Sequence, residues 1–353
     1  MAARMPLTLL YYVSGHGFGH ARRSAEVIRA LRTITPDVNV YVRSSAPADI
    51  FKGLAAGPVA PSHIDAPVVE RDALSLDWPA TLAAAADLLR RRRPAVAREV
   101  EAVRDLGPDL VVADVPFLAG DLAAALGVRC VAVSNFTWDW IYEPHRGAHP
   151  DGAAVVRGAR SSYARISTLL QLPFGHDTDV FPQVIPVPLI ARRSTLEPAE
   201  VLRRIGLDAR DDRPRVLVGM RGGVARPTLD LAIASAPHFH FLNIRAEDFG
   251  LDFSDLMAAS DVVVSKLGYG TLADCVANST RLLWPPRSDF REDDVTRVEA
   301  PRYLPMREMP VEEFRAGRWT ESLERVMALP VPPEHMPVNG ADECARMIAR
   351  WLG

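Results

Sequence analysis

The sequence predicts an α/β protein made of two doubly wound, mainly parallel sheets, and three observations carry that expectation. A short apolar strand, a glycine-rich turn and an amphipathic helix follow one another over residues 9–32. Short β-branched runs then alternate with helical periodicity, and several end in polar residues. A second series begins past the middle of the chain, with glycine turns of its own at 220–223 and 265–271. At 353 residues the chain is long for one core and sufficient for two.

The first unit organises the rest. Leu9-Leu10-Tyr11-Tyr12-Val13 is apolar, aromatic and β-branched, which predicts a buried strand. Ser14-Gly15-His16-Gly17-Phe18-Gly19-His20 follows as a tight turn. From Ala21 the period becomes helical: Val27, Ile28 and Leu31 share a face with Ser24, while Arg22, Arg23, Glu26, Arg29 and Arg32 are expected largely elsewhere. Such a turn lies at the carboxyl end of its strand, where parallel sheets bind ligands. It is not the dinucleotide fingerprint, because a histidine stands at each end. His20 is at the helix entrance, which suits a neutral imidazole and a nearby anion. For either histidine the competing role is to cap the turn.

Val38–Val42 is the next strand, and residues 44–78 show no clear period. Helices are expected at 79–93 and 95–106, broken at Pro94, followed by the strand Leu110–Ala113. That strand ends in Asp114, a carboxylate in the ligand position. A helix over 118–126 leads to the strand Arg129–Val133, which ends in Ser134 and Asn135. Aromatics at 136, 138, 140 and 142 follow at every second position. They are either a wedge packing helix on sheet or a platform for sugar rings or flat acceptors. Residues 143–158, with His145 and His149, read as a loop.

Composition narrows the function. A formal charge of −3 argues against a generic nucleic-acid binder. The basic run Arg90–Arg93 is explained by the end of a helix. Three cysteines, Cys130, Cys275 and Cys344, have no disulfide or metal spacing, which fits a reducing, cytoplasmic setting. No signal-peptide pattern and no apolar run of the ~18 residues a membrane helix needs is present.

A proline-bearing connector at 184–190 opens the second half. A helix over 197–205 with Thr195 as its cap, then strands at 215–219, 239–244, 261–264 and 282–284, are expected, with a helix at 253–260 and another from Leu272. The turns Met220-Arg221-Gly222-Gly223 and Ser265–Thr271 both suggest phosphate binding. In the latter, Gly268 and Gly270 open backbone amides, Thr271 offers a hydroxyl and Lys266 adds a full charge. Lys266 is one of only two lysines in the chain. Asp274 either meets ribose hydroxyls or complements the helix dipole. No Gly-Lys-Ser/Thr motif occurs, so a P-loop ATPase is not expected. No Asp-x-Asp pair ends a strand in this half, so no metal is expected either.

Five blocks carry a family resemblance: Tyr11–His20, Val133–Tyr142, Met257–Asp261, Lys266–Thr271 and Asp289–Glu292. They resemble, in order and across nearly the whole chain, the glycosyltransferase-like N-terminal half of plant-type L-arabinokinases. More distantly they resemble uridine-diphosphate-sugar glycosyltransferases of the GT-B fold. The resemblance implies two facing Rossmann-like domains with a cleft: 1–185 for the acceptor, 186–339 for the nucleotide sugar, and a closing helix at 340–353 that can return toward the first. The sugar-kinase half of the arabinokinases, with its phosphate loop, is not in this sequence, and kinase activity is not expected.

The same resemblance assigns the catalytic pair, the 266–274 motif and the 289–292 contacts; the other binding residues come from the glycine turns and strand ends themselves. His20 matches the general base and Asp114 the aspartate that orients it. His16, Phe18, Asn135, Trp138 and Asp139 fall on the acceptor side. Arg221, Gly222, Gly223, Lys266, Gly268, Tyr269, Gly270, Thr271, Asp274, Asp289 and Glu292 fall on the donor side. The family's donor motif departs here, with Lys266 replacing a histidine and Gly270 an asparagine, and its Asp-Gln pair appears as Asp289-Phe290. The expected activity is inverting, metal-independent transfer from a nucleotide-diphosphate sugar, UDP-sugar favoured, to a hydroxyl of a small molecule or glycan. No permanently bound cofactor is expected. A GT-B epimerase or hydrolase, or a non-catalytic nucleotide-sugar-binding regulator, is the alternative.

Overall fold

The computed structural model describes residues 7–208, 210–220 and 224–353. The chain forms two compact units. The first comprises the residues up to Val69, Asp77–Ile190 and Pro337–Gly353; the second comprises Glu70–Leu76 and Ala191–Met336.

The first unit is built on six parallel strands: β1 (Thr8–Val13), β2 (Asn39–Arg43), β3 (Leu110–Asp114), β4 (Arg129–Ser134), β5 (Thr168–Gln171) and β6 (Val184–Pro186). Their order is β2-β1-β3-β4-β5-β6. β1 and β3 are buried along their whole length, as the unbroken apolar runs require of strands covered on both faces. The chain leaves β1 to one side for β2 and comes back on the other side for β3. That reversal is a topological switch point, and the carboxyl ends of β1 and β3 frame its crevice. Val13 pairs with Asp114 across it. The closing helix, Gly340–Leu352, packs against the first helix, Gly19–Ile34. Only glycine fits at 340, because a Cβ there would meet the Pro188 carbonyl oxygen at 2.1 Å.

The second unit holds five parallel strands: β7 (Arg215–Val218), β8 (His240–Leu242), β9 (Val262–Val264), β10 (Arg281–Trp284) and β11 (Met306–Glu308). Their order, β11-β10-β9-β7-β8, reverses between β7 and β9. This unit therefore repeats the design, with its crevice at Gly219 and Ser265.

Several expectations need correction. The first helix starts at Gly19, not Ala21, so His20 belongs to its first turn. The helix expected from Leu272 starts at Tyr269, so Tyr269, Gly270 and Thr271 are helical rather than loop. Glycine costs little at a helix start, and the apolar period simply shows only farther in. Residues 143–158 are not a loop: a 3-10 turn spans Glu143–Ala148 and a helix spans Gly152–Tyr163. The break at Pro94 lies instead at Arg91, and Pro94 occupies the first turn of the helix Arg92–Val103, where its missing N–H is no loss. Glu197, not Thr195, precedes the helix Pro198–Arg204, with no side-chain cap. β5, β11 and the helices Arg226–Ser235, Arg291–Glu299, Val311–Arg315 and Thr320–Met327 were not anticipated. Among the described residues no helix is long and apolar enough to cross a membrane.

Candidate active site

At the first switch point the glycine loop brings His20 onto the end of β3. Gly17 adopts a left-handed φ of 66°, a turn that glycine makes without strain. His20 is 6% exposed, and its Nδ1 lies 2.7 Å from Asp114 Oδ1. Asp114 is fully buried and does not depend on His20 alone. Arg23 donates to it twice, through Nε to Oδ2 at 2.7 Å and through Nη2 to Oδ1 at 2.5 Å. Ser24 Oγ donates to Oδ2 at 3.0 Å. Burial pushes the carboxyl pKa up, but the charges and hydrogen bonds of Arg23 and His20 outweigh it and hold the group at about 2.

Arg23 was expected away from the apolar face, and that expectation is wrong. It is 4% exposed, and its Nη1 also donates to Asn135 Oδ1 at 2.8 Å. The legible signal was its i,i+3 spacing from His20, which places both on one face of the helix. The tautomer follows from this network. An ionised carboxylate can only accept, so the 2.7 Å contact with Asp114 Oδ1 places the hydrogen on Nδ1, and in the neutral ring Nε2 is then the lone-pair nitrogen. Arg23 Nη2, 3.0 Å from Nδ1, has Asp114 Oδ1 and Ser134 Oγ to donate to instead.

A second carboxylate, Asp65, lies in the stretch whose pattern was unreadable. Its Oδ2 accepts from Ser14 Oγ at 2.8 Å and from the Gly15 N–H at 3.1 Å, which braces the glycine loop. Burial raises its pKa, against the hydrogen bonds of Ser14 and Gly15. His16 and Phe18 are half-buried on the same loop. Three of the four aromatics at 136–142 are core, and Trp140 is half-buried, stacked on His176 at 4.4 Å. Phe136, Trp138 and Tyr142 are 3%, 0% and 0% exposed, and Trp138 stacks on Tyr142 with its ring centroid 5.7 Å away. Trp138 also meets His16 edge-on at 5.8 Å, so it backs the histidines. Asn135 is buried beneath Arg23. Asp139 is buried too, with its pKa raised by that burial and Arg160 3.6 Å away. His145 stacks on Trp78 at 3.6 Å.

At the second switch point Lys266 is half-buried just after β9. Its Nζ lies 3.1 Å from Glu70 Oε1. Gly268 precedes the helix Tyr269–Asn278, whose N-terminus carries the positive end of the helix dipole. Tyr269 is buried, and Gly270 and Thr271 are half-buried. Asp274 accepts from the Arg192 N–H at 2.8 Å and from Arg192 Nη2 at 3.0 Å, an engagement that anchors the segment after the first unit's last strand. Glu292 is buried 3.5 Å from Arg287 Nη2, while Asp289 is exposed with a left-handed φ of 56°. Arg287, unremarked in the sequence, also donates to the Leu267 carbonyl at 2.8 Å and so braces the lysine turn. Arg221, Gly222 and Gly223 lie outside the described residues. Among the described residues no cluster of three or more metal-ligating side chains occurs.

Two parallel-sheet units, each with a crevice at its switch point, have the GT-B fold of solved glycosyltransferases. The glycosyltransferase of kitacinnamycin matches with a TM-score of 0.60 at 15% identity, covering 99% of this chain and 100% of that one. A UDP-glucosyltransferase from Polygonum tinctorium, capable of glucosylating indoxyl, matches at 0.59 and 12%, covering 99% of each chain. In sequence, the chain resembles L-arabinokinase of Arabidopsis thaliana, 29% identical over 98% of this chain. It spans 34% of that relative's length. No family model matches the chain.

Proposed function

We propose that the protein is an inverting glycosyltransferase, moving a sugar from a nucleotide-diphosphate sugar to an acceptor hydroxyl without a metal. The observation that carries this reading is the His20–Asp114 pair at 2.7 Å; we read Nδ1 as the donor in it and Nε2 as the base. In this reading Nε2 takes the acceptor O–H proton as its oxygen bonds to the anomeric carbon on the face opposite the diphosphate. The anomeric carbon–oxygen bond breaks, and its electron pair leaves on the diphosphate. Lys266 and the N-terminus of the helix Tyr269–Asn278 offset the charge that develops there. Asp114 holds the ring and stabilises the imidazolium, as the aspartate of a hydrolase triad does.

The first unit takes the acceptor, with His16 and Phe18 beside the base, and the second takes the donor, with UDP-sugar favoured. Glycosyltransferase neighbours and the arabinokinase relative support transfer chemistry in general terms. Three buried free thiols, Cys130, Cys275 and Cys344, support placement in the reducing cytoplasm.

The test is product analysis with a panel of nucleotide-diphosphate sugars, with and without hydroxyl acceptors, in the presence of a chelator. Transfer with inversion, undiminished by the chelator, is expected. Sugar release independent of acceptor would make the protein a hydrolase. Loss of turnover on chelation, restored by magnesium or manganese, would overturn the metal-independent mechanism.

A further inference from the structure

Residues 70–76 belong to the second unit, although Val69 and Asp77 on either side belong to the first. The segment is a small hairpin: Glu70 bridges Leu76, and the Arg71 N–H donates to the Ser75 carbonyl at 2.9 Å. Leu74 pins it, buried in a cluster with Val216, Val264 and Trp319, while its carbonyl accepts from the Ser288 N–H at 2.9 Å. The Leu74 N–H donates to Asp72 Oδ1 at 2.8 Å, which stiffens the turn. A segment held this firmly delivers Glu70 to one place, Nζ of Lys266 at 3.1 Å. The side chains of Lys266 and Glu70 are 17% and 33% exposed, so solvent screens the pair only in part.

We propose that Glu70 is a charge-selecting residue of the anion site around Lys266, partnering the ammonium until phosphate replaces it and penalising the more highly charged ligand. The proposal rests on the reading of Lys266 as a phosphate ligand. A carboxylate beside the ammonium cancels most of the site's net charge and repels each added negative charge on a ligand. At neutral pH a terminal phosphate with its second pKa near ~6 is mainly doubly ionised, so a free nucleoside diphosphate carries about one more negative charge than its sugar ester. Glu70 therefore weakens product more than donor, which favours release after transfer. Because Glu70 acts through Lys266, it is a positioning residue for charge rather than a catalytic one.

The experiment is isothermal titration of the full chain with UDP, inorganic pyrophosphate, UDP-glucose and uridine. The proteins are wild type, Glu70→Gln, Lys266→Ala and the double variant. Glu70→Gln should tighten UDP and pyrophosphate by roughly tenfold, the size of one nearby partly screened charge. It should tighten UDP-glucose less and leave uridine unchanged. The gain should vanish when Lys266 is already alanine, which a merely structural role would not produce. Unchanged or weaker UDP binding in Glu70→Gln, with Lys266→Ala still impaired, overturns the charge-selecting role and leaves the phosphate reading standing. Lys266→Ala binding UDP as well as wild type overturns both. Equal melting temperatures for the variants confirm that folding is not what has changed.

Discussion

The two switch points share a topology and differ in how their charge is spent. At the first, His20, Arg23 and Asp114 are buried, and the carboxylate of Asp114 takes hydrogen bonds from both partners at 2.5–2.7 Å. At the second, Lys266 is half-buried beside the partly exposed carboxylate of Glu70. A buried network in low dielectric fixes a tautomer and resists reorganisation, which suits a proton transfer. A partly buried ammonium whose carboxylate partner reaches solvent suits a ligand that must come and go. In the proposed reading, the same fold thus holds a rigid site in one unit and a yielding one in the other.

That contrast can be broken first at the level of stability. Arg23→Leu leaves the buried Asp114 carboxylate without its main counter-charge, and loss of one partner of such a pair costs about 3–5 kcal/mol. Lys266→Ala removes a partly exposed pair worth about 1 kcal/mol or less. Denaturant unfolding should show a large downward shift in midpoint for the first variant and a small one for the second. Equal shifts would erase the distinction between a rigid and a yielding site.

A smaller effect sharpens it through pH. Asp114 has a folded pKa of about 2, below the ~3.9 of an unfolded aspartate, so its contribution is fully present above about pH 4. It is lost as pH falls from about 4 through 2. Asp114→Asn should flatten unfolding free energy over that window. A variant as acid-sensitive there as wild type would mean that other carboxylates set the response.

How much of this was legible follows from local pattern. The glycine turn with its paired histidines, Asp114 at a strand end and Lys266 beside a second turn all show in short stretches of sequence. What pattern could not show depends on long-range contact. Asp65 meets Ser14 across 51 residues, and Glu70 meets Lys266 across 196, from a stretch with neither helical nor strand period. Arg23 is hidden for a different reason: helical period puts it largely off the apolar face, and its burial depends on the Asp114 carboxylate from β3 and the Asn135 side chain, far off in sequence. The aromatic run at 136–142 was ambiguous because wedge and platform share one pattern, and burial favours the wedge for Trp138 and Tyr142.

The division of labour is tested most directly by measuring turnover and UDP affinity on the same two variants. His20→Ala should lower turnover by roughly 10² or more, the usual scale for a general base, with UDP affinity unchanged. Lys266→Ala should weaken UDP far more than uridine. If His20→Ala turns over at the wild-type rate, or loses UDP affinity as severely as Lys266→Ala, then chemistry and phosphate binding are not divided between the two switch points, and the account is contradicted.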